Sequence, residues 1–391
     1  MSCLPPASLP SPCYVVDLSA LRRNLRVLAD VQQAAGCTIV LALKGFAMWS
    51  VFPLIRTYLG GCCASGLWEA RLAREEFNGE VLTYSPAYKD DEITALLEIT
   101  DHLDFNSPGQ WLRYRDQVMS HPRHRSGALR CGLRVNPECS TGHTPMYDPC
   151  VAGSRLGITP GQLAGLDLTG ISGLHFHTLC EQGAEDLETT LAAVGEKFGH
   201  ILARPEITWL NMGGGHWITK PDYNRRLLID LIKRFAGTYG VHVYLEPGEA
   251  IAIHTGVLRA TVIDIVHNSL DIALLDISAT AHMPDVLEMP YRPGVLASCG
   301  TAAGLPGSPG HLYRLAGPTC LAGDVIGDYV FPAPLKPGDT VVFDDMAHYT
   351  MVKTTTFNGV RHPAIATWDP ESGKSRVIRE FGYEDYRDRL S

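Results

Sequence analysis

Short apolar runs alternate with helical patterns over the first two-thirds of the chain, and this alternation limits the fold more than any other feature. Strand-like segments fall at 37–43, near 62–65, and at 80–84, 102–105, 129–135, 171–176, 207–212 and 241–245. Helical spacing of apolar residues separates several of them, at 67–77, 184–203 and 223–236. Another helix is predicted ahead of the first strand, from Leu18, Leu21, Leu25, Leu28 and Val31, with Asp17 or Ser19 as its cap. Parallel strands need long crossover connections, which helices supply. Eight strands alternating with helices predict an α/β fold of the (β/α)8 barrel kind.

Beyond about residue 255 the pattern changes. The segments 257–267, 270–277 and 340–343 are rich in Val and Ile and are separated by Gly/Pro turns, which predicts a C-terminal antiparallel β domain. Residues 292–312 read as a surface loop, and the charged tail from Trp368 as helix or unstructured chain. The expected division is a leader and first strand at 1–16, packed with the β domain, a barrel at 17–255, and the β domain at 256–391.

Several function classes are excluded at this level. A net charge of −9 does not suit a sequence-independent nucleic-acid binder, which needs a basic surface. No run approaches the roughly 18 apolar residues of a membrane span. The Pro-rich start, with Pro5, Pro6, Pro10 and Pro12, lacks the basic and apolar regions of a signal peptide. The 11 cysteines are scattered without a CxxC pair, which speaks against a zinc ribbon or a disulfide framework. A reducing cytoplasm is the expected location.

In barrels of this kind the active site gathers at the C-terminal ends of the strands. Four stations of chemistry fall there. The first strand ends at Lys44, a lysine inside an otherwise apolar run. Burial lowers a lysine pKa and frees the amine to attack carbonyls, although a strand-end lysine commonly just reaches out to water. The sixth strand ends in His175-Phe176-His177. Two histidines at i and i+2 suggest a metal, but no third ligand is evident, so no metal is expected; a flat imidazole against an aromatic cofactor ring is the other reading. The seventh ends in Gly213-Gly214-Gly215, either a plain turn or an amide nest for a phosphate. The eighth ends in Glu246-Pro247-Gly248-Glu249, where Glu246 is placed to hold a proton on a pyridine nitrogen. Lysine, stacking histidine, glycine-rich phosphate site and carboxylate are together what pyridoxal 5′-phosphate (PLP) requires.

These motifs, with Gly317-Pro318-Thr319-Cys320 and Tyr349-Thr350, resemble the fold-type III PLP decarboxylases, the alanine-racemase-like barrel group that includes the ornithine and diaminopimelate enzymes. The resemblance runs from about Pro12 to Thr367 and is similar in most detail to the polyamine-forming branch. It implies that Lys44 carries PLP as a Schiff base, His177 stacks on its ring, Gly213, Gly214 and Gly215 hold the phosphate, and Glu246 pairs with the ring nitrogen. It further implies a homodimer with shared sites, in which Cys320 returns a proton to carbon and Tyr349 reaches the phosphate of the partner's cofactor. The implied reaction is decarboxylation of a small cationic substrate, carboxynorspermidine or carboxyspermidine.

Two departures bear on the substrate. Ornithine-type enzymes carry an arginine where this chain has Glu249, and an aspartate where it has Leu321. The acid that meets a cationic substrate has moved, with Glu249 and Asp285 as candidates. Gly45, where relatives carry alanine, is expected to matter little. Two rival readings are a diaminopimelate- or ornithine-type reaction on the same cofactor, and a non-enzymatic homologue that binds polyamines. Distal acids suit an amine better than a carboxylate, and retention of Lys44 and Cys320 speaks against the non-enzymatic reading.

Overall fold

A computed structural model of the chain describes residues 4–142 and 144–391; the first three residues of the expected leader lie outside the described residues. The chain divides into two compact units, Asn24–Ile251 and a second one made of the residues up to Arg23 together with Ala252–Ser391.

The first unit is a ring of parallel strands. Its opening strand is recorded as two pieces, Thr38–Ile39 and Leu41–Ala42, interrupted only at Val40. One piece pairs with His242–Leu245 and the other with Gly61–Ala64, and the Val40 N–H still donates to Leu245 O at 2.9 Å. The ring therefore closes through Glu80–Tyr84, His102–Phe105, Arg130–Arg134, Gly173–His175 and Trp209–Asn211. This is the eight-strand barrel that the alternation predicts. Helices Asp90–Ile99, Pro108–Ser120, Ala184–Leu202 and Arg225–Tyr239 make crossovers. Their ends follow local chemistry: Ser107 and Asn224 accept backbone N–H groups as N-caps, and Gly240 closes the last helix at φ 69°.

Trp209 fills the barrel interior with Val40, Cys63, Leu82 and Tyr244. It fits because two neighbouring strands carry glycine: a Cβ on Gly173 would lie 2.0 Å from the indole, and one on Gly132 2.4 Å. Below it, Glu80 gathers Arg130 at 2.8 Å, His102 at 3.2 Å and the Tyr244 hydroxyl at 3.2 Å. Burial alone would raise the Glu80 pKa; His102 and Arg130 outweigh it and hold the carboxyl below its usual value.

The second unit is built on a sheet ordered Val325–Phe331, His311–Ala316, Leu270–Leu275, Gly256–Asn268, Cys13–Asp17, Ala364–Asp369, Lys374–Arg379, with Val295–Ala297 and Thr340–Phe343 attached. Most pairs are antiparallel; Cys13–Asp17 with Ala364–Asp369 and Leu270–Leu275 with His311–Ala316 are parallel. The period of two is visible in packing. Cys13 and Val15 join Val257, Val342 and Ala364 on one side, while Tyr14 joins Leu258, Leu275 and Phe343 on the other. Asp17 rather than Ser19 caps the helix Leu18–Ala35, its Oδ1 accepting from Ala20 N at 2.9 Å; Ser19 binds Asp369.

Two sequence expectations need correction. The stretch 292–312 is not all loop, because Val295–Ala297 pairs with Thr340–Phe343. The charged tail is neither helix nor unstructured over its first part: Lys374–Arg379 returns as a hairpin on Ala364–Asp369, and only Tyr383–Arg387 is helical. Charge hid a strand whose outer face is exposed. Among the described residues, no helix is long and apolar enough to cross a membrane.

Candidate active site

In the barrel unit, Lys44, His177, Gly213–Gly215 and Glu246 all follow C-terminal strand ends, as expected. Lys44 stands just past Leu41–Ala42, where the backbone turns against the Gly248 turn. A Cβ on Gly45 would sit 2.9 Å from Gly248 Cα, so the expectation that Gly45 matters little is not upheld: alanine there forces two backbones apart. The Lys44 side chain remains accessible while protein surrounds it, as in a cleft. Burial, aided by Arg134, lowers its pKa, against smaller opposing effects of Cys63 and Glu246.

The Lys44 Nζ lies 3.4 Å from His177 Nε2. His177 Nδ1 accepts the Gly214 N–H at 2.7 Å, which places the imidazole proton on Nε2. Burial first, then Lys44 and Arg134, push the His177 pKa well down, so this ring is neutral. Arg134 packs over Tyr84 at 4.4 Å and donates to His177 O at 3.1 Å.

The three glycines hold strand ends together. Gly213 N–H donates to Asn211 Oδ1 at 2.9 Å, and Gly213 and Gly215 adopt φ of 72° and 81°. A Cβ on Gly214 would lie 2.2 Å from Glu246 O, and one on Gly215 2.0 Å from Leu179 O. Of their three amides, two are thus engaged within the protein, and an anion can be met by that of Gly215.

Glu246 is nearly buried. Its Oε1 accepts from Asn211 Nδ2, and its Oε2 faces His175 Nε2 at 3.6 Å. His175 Nδ1 stands 3.0 Å from Asp104 Oδ2. Burial drives the Cys63 thiol pKa well up, reinforced by its hydrogen bond to Glu246.

Glu249 lies at the eighth strand end, where its Oε1 accepts from Trp217 Nε1 at 3.0 Å. In the sheet unit, Asp285 and Glu288 share Lys353, so two carboxylates face one ammonium. Cys320 is exposed on a loop, its N–H donating to Asn358 Oδ1 at 2.8 Å. That loop is anchored by buried Asp324, which accepts from Ser278, Ala279 and Thr280 with one oxygen and twice from Thr319 with the other. Tyr349 is held at φ 53°, beside Asp345 at φ 58°, which pairs with His254 and His348.

The sequence reading missed Asp104, Arg134, Cys63 and Asn211. Each lies on or at the end of a barrel strand, so listing every polar residue at those ends would have found them. Among the described residues, no cluster of three or more His, Cys, Asp or Glu is arranged for a metal.

The arrangement fits PLP: an accessible, destabilised ammonium, a neutral imidazole beside it, a glycine turn that any Cβ would fill, and a carboxylate braced from two sides. Residues 13–347 match the sequence model of the family described as pyridoxal-dependent decarboxylase, C-terminal sheet domain. The chain belongs to this family of PLP-dependent decarboxylases.

Its relatives narrow the class. The chain is 48% identical to a carboxyaminopropylagmatine decarboxylase of Synechocystis over 98% of its length and 96% of the relative's. It is 44% identical to a carboxynorspermidine/carboxyspermidine decarboxylase of Campylobacter jejuni, covering 96% and 97%. The crystal structure of carboxynorspermidine decarboxylase from that organism, complexed with norspermidine, superposes with a TM-score of 0.87 at 42% identity, covering 97% of this chain and 100% of that one.

Proposed function

We propose that the protein decarboxylates a carboxylated polyamine, carboxynorspermidine or carboxyspermidine, to norspermidine or spermidine. The observation that carries this reading is end-to-end similarity to enzymes of that name, together with a barrel site equipped for PLP. A second substrate is favoured by the Synechocystis relative, whose carboxyaminopropylagmatine has the same amino-acid head with a guanidinium tail.

When bound, PLP supplies an electron sink for the pair released as carbon dioxide leaves. The protein's part is to hold and orient. Lys44 offers its amine for attachment, with the charged form disfavoured by burial. His177 would lie against the cofactor ring without adding charge. Glu246 keeps a proton on the ring nitrogen, and Gly213–Gly215 let the phosphate approach the backbone. Cys320 and Tyr349 serve the partner subunit of a homodimer, where the Cys320 thiol would give its own proton to the carbon that carbon dioxide leaves and regain one from solvent. A carboxylate reads the distal cation through charge-assisted hydrogen bonds, with Glu249 of the barrel unit and, separately, Asp285 of the sheet unit as the candidates.

The test is carbon dioxide release from carboxynorspermidine, carboxyspermidine, carboxyaminopropylagmatine, ornithine and diaminopimelate. The reading predicts turnover of the carboxylated polyamines at more than about tenfold higher kcat/KM than the two amino acids, about 1.4 kcal/mol of discrimination. Preference for diaminopimelate or ornithine would overturn it. Mixing inactive Lys44→Ala and Cys320→Ala subunits should restore activity if sites are shared; no recovery would refute the shared-site dimer.

A further inference from the structure

Two buried groups in the barrel have no place in the scheme above. His175 and Asp104 are both almost fully buried, yet neither ring nitrogen of His175 nor Asp104 Oδ1 has the geometry of a hydrogen bond. Leaving such groups unsatisfied is costly, so their presence needs a reason. The three side chains stand in line: Asp104 Oδ2, 3.0 Å to His175 Nδ1; across the ring, His175 Nε2, 3.6 Å to Glu246 Oε2.

We propose that His175, backed by Asp104, is the positioning residue for Glu246, with Asp104 as the hydrogen-bond donor to Nδ1 and Nε2–H directed at the Glu246 carboxylate. This rests on the reading of Glu246 as the partner of the cofactor ring nitrogen. The proton arrangement follows from the order of groups. A carboxylate on each side of one neutral imidazole gives one good contact and one lone-pair clash. If Asp104 carries a proton, both contacts become favourable and only Glu246 is charged. Burial acts in this direction on both members: it takes the His175 pKa down to about 4 and raises that of Asp104 to about 7, against the opposing pull of His102 and Arg134 on Asp104. Asn211 holds the other Glu246 oxygen, so the carboxylate is gripped at both ends.

The arrangement makes an unusual demand of Asp104. In a Ser-His-Asp triad the aspartate is an ionised acceptor, and replacing it by asparagine costs about 10⁴ in kcat through the wrong tautomer. Here an asparagine amide would donate to Nδ1 just as the protonated acid does. Cofactor retention, visible absorbance, kcat, KM and melting temperature would be measured on holoenzyme for wild type, His175→Leu, Asp104→Leu, Asp104→Asn and Glu246→Gln. Removal of a group that orients a ligand typically costs about 10–100-fold at metal sites, and a loss of that size in cofactor affinity and kcat, with KM little changed, is expected for His175→Leu and Asp104→Leu. Asp104→Asn should rescue, holding affinity within about threefold of wild type. An Asp104→Asn protein as impaired as Asp104→Leu, or one that fails to fold, would overturn the proposal, as would wild-type affinity in His175→Leu beside an impaired Glu246→Gln. If Glu246→Gln itself retains the cofactor and its spectrum, the assignment of Glu246 falls instead.

Discussion

The Lys44 ammonium nitrogen sits 3.4 Å from His177 Nε2, and the other nitrogen of that ring is already taken by the Gly214 N–H. The imidazole therefore turns an N–H toward the lysine. Two donors face each other unless the lysine gives up its charge, so the contact itself favours a neutral amine. Burial lowers the Lys44 pKa in the same sense. In protein stripped of cofactor, limited acylation near pH 7.5 should modify Lys44 ahead of exposed Lys89, as read by mass spectrometry. Equal or slower modification of Lys44 would contradict a lowered pKa.

The glycine turn makes a second prediction, by contrast within one protein. Gly215→Ala combines a left-handed φ of 81° with a Cβ 2.0 Å from Leu179 O. Gly237, inside the helix Arg225–Tyr239, has nothing within 4 Å of its would-be Cβ. Gly215→Ala should lower stability by about 2 kcal/mol or more and abolish cofactor retention. Gly237→Ala should stabilise by about 0.5–1 kcal/mol. Thermal melting of both variants decides the matter.

The barrel floor gives a pH dependence with a definite sign. Glu80 is held below its usual pKa in the folded state by His102 and Arg130, against the effect of burial. A depressed carboxyl contributes stability that is present above its unfolded pKa, about 4.3, and is lost as pH falls through the folded value. Glu80→Gln should therefore cost about 1–3 kcal/mol at pH 7, with the gap to wild type narrowing below about pH 4. A gap independent of pH would show that packing, not charge, makes the contribution.

Asp324 anchors the loop that carries Cys320 by accepting five hydrogen bonds from Ser278, Ala279, Thr280 and Thr319. Asp324→Ala leaves these donors unmet and should destabilise the sheet unit by about 3 kcal/mol or more. Hydrogen exchange would locate the loss at 278–280 and 317–324; unchanged protection there would refute the anchoring role.

How much of this was legible in the sequence varies by residue. The barrel strands and the four stations at their ends could be read because strand period, apolar burial and glycine each leave a local mark. The partner of Asp285 could not: Lys353 lies 68 positions away, and nothing in either neighbourhood announces the other. Asp104 and Arg134 were passed over for a related reason. Each sits in an ordinary strand sequence, and its meaning comes only from the His175 and His177 that the closed ring brings beside it. The three glycines stand out in the sequence, but which of their amides are left open does not. The amides of Gly213 and Gly214 bind Asn211 and His177, a choice fixed by tertiary approach.

The central claim is that Lys44 anchors the cofactor. Borohydride reduction of the purified holoenzyme, followed by proteolysis and mass spectrometry, tests it directly. The account predicts bleaching of the visible absorbance and one pyridoxyl group on the peptide containing Lys44. A pyridoxyl group on another lysine, or a protein that takes up no pyridoxal phosphate, would contradict it.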